Sequence, residues 1–172
     1  LFDYDFGDIY ISNSNFTDIS NCNNDYVCFN TNDNEMINLH DESNITISNT
    51  DFLNIYGFTG FRVGKKCYIN IEESNFRYIS LEEGFIIFDT IDVERYGVYE
   101  ISDTLFYSFI SYSGVILTVY DITSLSQVNF NRCIFKENIV TYNGAIVYSI
   151  SENAKDFIKF NNCTFEDNFA EL

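Results

Sequence analysis

The chain has 172 residues, with 9 Lys plus Arg against 26 Asp plus Glu and a net charge of −17. That balance excludes nucleic acid, whose binders need cations to displace counterions, and docking on an anionic membrane surface. With 46% hydrophobic and 18% aromatic residues it holds enough apolar surface for a sizeable core, so it is not a disordered acidic tail, and no run is long enough to span a bilayer.

The elements follow from a repeat marked by six phenylalanines: Phe16, Phe52, Phe76, Phe106, Phe135 and Phe165, spaced by 36, 24, 30, 29 and 30 residues. Seven residues before each stands Ile9, Ile45, Ile69, Tyr99, Val128 or Ile158. Five before stands Ile11, Ile47, Ile71, Ile101, Phe130 or Phe160. All twelve positions are apolar, a result chance would give roughly once in ten thousand trials. The residues between them are mostly polar, such as Thr46, Asn70, Asn129 and Lys159. This is the period of a strand with one buried face. Two residues before each phenylalanine the side chain is small: Ser14, Thr50, Ser74, Thr104, Cys133 or Cys163. A polar corner precedes it (Ser12-Asn13, Ser48-Asn49, Asn161-Asn162), suited to Asn and Ser because they tolerate unusual backbone angles.

A third apolar run follows, opened by glycine in four repeats: Gly60-Phe61, Gly84 to Phe88, Gly114 to Val119 and Gly144 to Tyr148. Asp25 to Phe29 is expected to take this place in the first repeat. Hairpin signals between neighbouring strands are nearly missing, and so is proline. The predicted fold is therefore all-β: a right-handed parallel β-helix of about six coils, roughly 30 residues each, with three short strands per coil. Handedness rests on the general preference of parallel crossovers. One domain over residues 1–172 is expected. Leu1 opens without Met or a leader pattern, and no cap is legible at either end. The chain therefore reads as a stretch of a longer repeat protein, or as a unit that stacks end to end.

Five cysteines and a single histidine, without a CxxC pair, argue against a zinc site. Cys22 and Cys28 can close a small disulfide loop; Cys133 and Cys163 read as buried thiols acting as small hydrophobes, and Cys67 has no evident partner. Sequons at Asn15, Asn44 and Asn162 are candidate glycosylation sites compatible with secretion, although roughly three would arise by chance at this composition. The polar segment Thr31 to Ser43 reads as the longest loop, solvated rather than cation-binding, although it carries Asp33, Glu35, His40, Asp41 and Glu42. A second acidic loop, Asp89 to Tyr96, is expected at the same turn position two coils later, and the two could form a binding edge only if both protrude on one side. Outward Tyr10, Tyr78 and Tyr107 are candidates for stacking on sugars.

Cys133-Ile-Phe-Lys-Glu-Asn138 and Cys163-Thr-Phe-Glu-Asp-Asn168, with Gly144-Ala-Ile-Val-Tyr148, resemble polymorphic-outer-membrane-protein repeats, marked by Phe-x-x-Asn and Gly-Gly-Ala-Ile. More broadly, the chain from about Ile9 onward is similar to parallel β-helices of the pectin-lyase-like type. The earlier repeats place Ile19, Ile55, Ile79 or Phe109 where the motif has Asn, and Asn143 replaces its first glycine. The resemblance implies a surface passenger used in adhesion. It also raises a polysaccharide lyase or hydrolase as an alternative. However, no Asp-Asp, Gly-His-Gly or Arg-x-Lys occurs, so the clustered set of the glycosidase branch is missing. The expectation is a non-enzymatic extracellular or cell-surface module for adhesion or display, without a cofactor or metal. Its partners would be other protein subunits or surface glycans. The alternative of a different class is a structural rod subunit of a larger assembly.

Overall fold

The computed structural model of the chain describes residues 1–22, 34–88 and 96–171. It is almost entirely β, and every strand pair among the described residues is parallel. The strands in chain order are β1 (Phe2–Tyr4), β2 (Asp8–Ser12), β3 (Asn15–Ser20), β4 (Glu35–Leu39), β5 (Asn44–Ser48), β6 (Asp51–Val63), β7 (Cys67–Glu72), β8 (Asn75–Leu81) and β9 (Ile86–Phe88). Then come β10 (Gly97–Ser102), β11 (Leu105–Ser113), β12 (Leu117–Val119), β13 (Gln127–Asn131), β14 (Ile134–Lys136), β15 (Ile139–Asn143) and β16 (Val147–Ser149). A four-residue helix, α1 (Ala154–Phe157), precedes β17 (Ile158–Asn161), β18 (Thr164–Glu166) and β19 (Phe169–Ala170).

One six-stranded sheet runs β2-β5-β7-β10-β13-β17. A 13-stranded, strongly curled sheet has two wings. The wing β3-β6-β8-β11-β14-β18 follows the corner of each repeat, and the wing β1-β4-β6-β9-β12-β16 carries the third strands. The 13-residue β6 belongs to both and turns the sheet from one to the other.

The register is the one read from the repeat. In the six-stranded sheet Ile45 pairs with Ile9 and Ile69, and Tyr99 with Ile69 and Val128. In the corner wing Phe52 pairs with Phe16 and Phe76, and Phe106 with Phe76 and Phe135. The six phenylalanine rings form a single stacked column, with centroid separations of 4.9, 4.7, 5.5, 5.1 and 5.0 Å. Phe52, Phe76, Phe106 and Phe135 are fully buried there. Stacking like over like at the strand spacing of about 4.8 Å brings ring to ring and aliphatic to aliphatic.

Two corners recur in every repeat. Three residues before each phenylalanine the backbone is left-handed at Asn13, Asn49, Glu73, Asp103, Arg132 and Asn162. Two residues after each it is left-handed again, at Asp18, Asn54, Tyr78, Ser108, Glu137 and Asp167. The first corner explains the small residue that follows it. Ser14, Thr50, Ser74 and Thr104 each donate the side-chain hydroxyl back to the carbonyl two residues earlier, at 2.8–2.9 Å. The thiols of Cys133 and Cys163 take the same place at 3.6 Å. A short side-chain donor closes the kink that the left-handed residue opens. Glu73 sits in such a corner with φ +49°, a conformation disfavoured for a residue with a Cβ. Glu73→Asn is therefore expected to stabilise the protein by about 0.5–1 kcal/mol in urea unfolding, since Asn adopts this region more readily. No gain there would show that the corner is not strained.

The third strands open on glycine for a steric reason. Gly114 has φ +52°, and a Cβ on it would lie 2.4 Å from the Leu117 carbonyl oxygen; Gly144 repeats the conformation at φ +62°.

Several details differ from the sequence expectation. Asp25 to Phe29 lies outside the described residues, and the third-strand position of the first repeat is filled by β4, whose Ile37 pairs with Phe2 and Phe61. The expected long loop thus contains a strand with Met36, Ile37 and Leu39 buried. The apolar Met-Ile-x-Leu core was masked by the acids and asparagines around it. Phe2–Tyr4 also forms a strand, and Phe2 meets Phe16 edge to face at 5.4 Å. In the last two repeats the second strand breaks into two pieces, β14 with β15 and β18 with β19. The break falls at Asn138 and Asn168, whose side chains take over bonds of the ladder.

Candidate functional site

The outer surface of the corner wing changes chemistry partway along the stack. One outward ladder begins Asn15, Asp51, Asn75, continues Leu105, Ile134 and ends on the polar Thr164. A second begins Ser20, Tyr56 and Ser80, the last of them buried, and continues with the more open Ile110, Ile139 and Phe169. Ile134 and Ile139 are each 42% exposed and Phe169 59%. Beside them Tyr112 and Tyr142 stack face to face, 5.3 Å apart with planes 5° from parallel, and both are more than half exposed. The result is a ribbon of outward aromatic and aliphatic side chains on the last three repeats. Large exposed apolar patches rimmed by polar groups mark interaction surfaces. Tyrosine suits such a surface because it offers a flat apolar face and a hydroxyl at low entropic cost.

The rim is charged and mostly paired between neighbouring repeats. Lys136 Nζ lies 3.2 Å from Glu166, and Arg77 lies 3.4 Å from Asp51. The Tyr107 hydroxyl donates to Glu137 Oε2 at 2.9 Å, and this bond pushes the phenol up to about 12. Arg132 forks onto Asp103, with Nε at 2.7 Å, and holds that carboxyl below its ordinary value.

Of the tyrosines read from sequence, Tyr78 and Tyr107 lie on this same wing, edge to face at 5.3 Å. Tyr10 is exposed on the six-stranded sheet, away from them. Tyr112 and Tyr142 were not singled out by sequence reasoning. Their signal was the alternation continuing beyond the second corner, where Phe109 points in and Tyr112 points out.

No family model, no curated protein and no solved structure matches this chain.

The acidic segment does not converge. Glu35 pairs with Arg62 at 2.6 Å, Glu42 with Lys66 at 2.9 Å, and Asp41 accepts the Lys65 amide at 2.8 Å. His40 instead turns to Asp3 at 3.1 Å and Asp5 at 3.5 Å. Among the described residues no group of three or more His, Cys, Asp and Glu is arranged to hold a metal ion. Asp33, and residues 89–95 of the second acidic loop, lie outside the described residues.

The sequons sit in three environments. Asn15 is exposed at the start of β3, and Asn162 is exposed in a left-handed corner. Asn44 is half-buried, with its amide donating to Asp8 at 2.8 Å. Cys22 is held in a disulfide, and Cys28 lies outside the described residues. Cys67, Cys133 and Cys163 are free thiols. Cys67 is buried and its thiol donates to the His40 carbonyl at 3.2 Å. Among the described residues no helix is long and apolar enough to cross a membrane.

Proposed function

We propose that this chain is a right-handed parallel β-helix of the pectin-lyase-like type, built from repeats like those of polymorphic outer membrane proteins. In this reading it serves as a non-enzymatic extracellular or cell-surface module for adhesion or display. The stacked phenylalanine column and the parallel register support the architecture. The functional reading is carried by one observation: the outward ribbon in which Tyr112 and Tyr142 stack face to face, both more than half exposed. Its ligands would be glycans that stack on aromatic faces, with the chain's net charge of −17 disfavouring acidic polymers.

The test is a glycan array, run with and without Ca²⁺, on the wild-type chain and on Tyr112→Ala/Tyr142→Ala. Binding is expected, and the double variant should lose about tenfold in affinity, the worth of an aromatic contact of roughly 1.5 kcal/mol. Binding untouched by the two substitutions would remove this face from the account. Release of reducing or unsaturated sugars from polysaccharide would replace it with an enzyme.

A second reading, a structural rod subunit of a larger assembly, is supported by the in-register parallel stacking of successive repeats, an arrangement that lengthens along one axis. Sedimentation velocity distinguishes it: a rod subunit would form end-to-end species whose population rises with concentration.

A further inference from the structure

We propose that Cys133 and Cys163 form a latent disulfide site that staples the last two repeats together when a low-molecular-weight disulfide is present. This inference is independent of the functional reading above. Thirty residues apart in sequence, the two cysteines are neighbours in space. Ile134 pairs with Thr164 in register, and the Thr164 amide donates to the Cys133 carbonyl at 2.9 Å. Each cysteine therefore stands at the same corner of adjacent repeats. The spacing of paired strands, about 4.8 Å, falls inside the Cα separation of roughly 4.4–6.8 Å that disulfides span.

The thiols point the same way. Each donates to the carbonyl two residues before it, at 3.6 Å. Each also reaches into the preceding repeat, Cys133 to the Ile101 carbonyl and Cys163 to the Phe130 carbonyl, both at 3.5 Å, so the Cys163 sulfur leans toward Cys133 and the Cys133 side chain must turn from Ile101 to meet it. Joining the sulfurs gives up only these weak S–H bonds. Ser and Thr hold the equivalent position in the earlier repeats, so the two adjacent cysteines are the only neighbouring pair among the six that can cross-link.

Access fixes the order of events. Cys133 is 1% exposed, and burial pushes its thiol up to about 12. Cys163 is only half-buried. Oxidised glutathione serves as the oxidant. The Cys163 thiolate attacks one of its sulfurs, the glutathione S–S bond breaks, and one glutathione thiolate leaves. The Cys133 thiolate then attacks the Cys163 sulfur of the mixed disulfide and expels the second. Two protein thiols give up two protons and two electrons, and one glutathione disulfide becomes two glutathione thiols.

The experiment treats the whole chain with oxidised glutathione at mildly alkaline pH, blocks free thiols and maps the peptides. A Cys133–Cys163 linked peptide is expected, with the loss of two hydrogens and an upward shift in melting temperature that a dithiol reductant reverses. Cys133→Ser, which keeps a donor at the corner, should stop at the mixed disulfide on Cys163. In Cys163→Ser, Cys133 should stay unmodified while the chain is folded. The proposal is overturned if wild-type Cys163 remains a glutathione adduct after prolonged treatment. It is equally overturned if Cys163 is found linked to Cys22, Cys28 or Cys67, or if Cys133 is modified first.

Discussion

Phe106→Ala will destabilise the protein by about 3–5 kcal/mol, the range for removing a fully buried aromatic side chain. Phe106 is 0% exposed and stacks between Phe76 at 5.5 Å and Phe135 at 5.1 Å. Phe85 and Phe130 approach it edge-on at 5.4 and 6.2 Å. Neighbours on both sides are held by their own ladders, so the site cannot collapse and the cavity remains. Phe165→Ala removes the same atoms from the last repeat, where half of the ring is already in water, and should cost about 1 kcal/mol. Urea unfolding with unchanged m-values compares the two. Equal losses would mean that the column does not carry the core.

The second large effect is expected at Asn138, a fully buried polar side chain in a column that is otherwise apolar in the earlier repeats. Its amide nitrogen donates to the Phe106 carbonyl at 3.1 Å and to Asn168 Oδ1 at 2.8 Å. Its oxygen accepts the Phe109 amide at 3.0 Å. Asn138→Ala strands a buried N–H and a buried C=O at once, a cost of about 2–5 kcal/mol. Asn138→Leu fills the space but restores neither bond, so it should fail to rescue. Asn168→Ala should cost less, because that residue is only half-buried and water can replace it. A neutral Asn138→Ala would show that the backbone closes the gap by itself.

The register was legible because the buried positions repeat in type: aliphatic, aliphatic, small, Phe. The reason for the small residue was not, since it lies in a hydrogen bond back across a left-handed corner. That corner accepts Asn13, Glu73 and Arg132 alike, so its residue types carry no signal. The second corner hides for the same reason, holding Asp18 in one repeat and Tyr78 in another. Phe-x-x-Asn was visible as a motif, but only the structure ties Asn138 to the amide of Phe109. The outward ribbon was missed because solvent-facing positions obey no shared rule from repeat to repeat. Where Leu105 follows Asn75 in one ladder, nothing in the inner pattern announces the change.

The one-sided neighbour of the last repeat has a dynamic consequence. Phe76 and Phe106 are stacked on both faces, whereas Phe165 is stacked on one face only, by Phe135, with Phe160 meeting it edge-on at 5.5 Å. Because each layer contacts only the layers next to it, local opening begins at the two end layers and advances inward layer by layer. Amide protons should therefore exchange along a gradient, fastest in β1 to β3 and β17 to β19 and slowest in β7 to β11. The molecule then behaves less like a globule that melts at once than like a pile loosened from its rim.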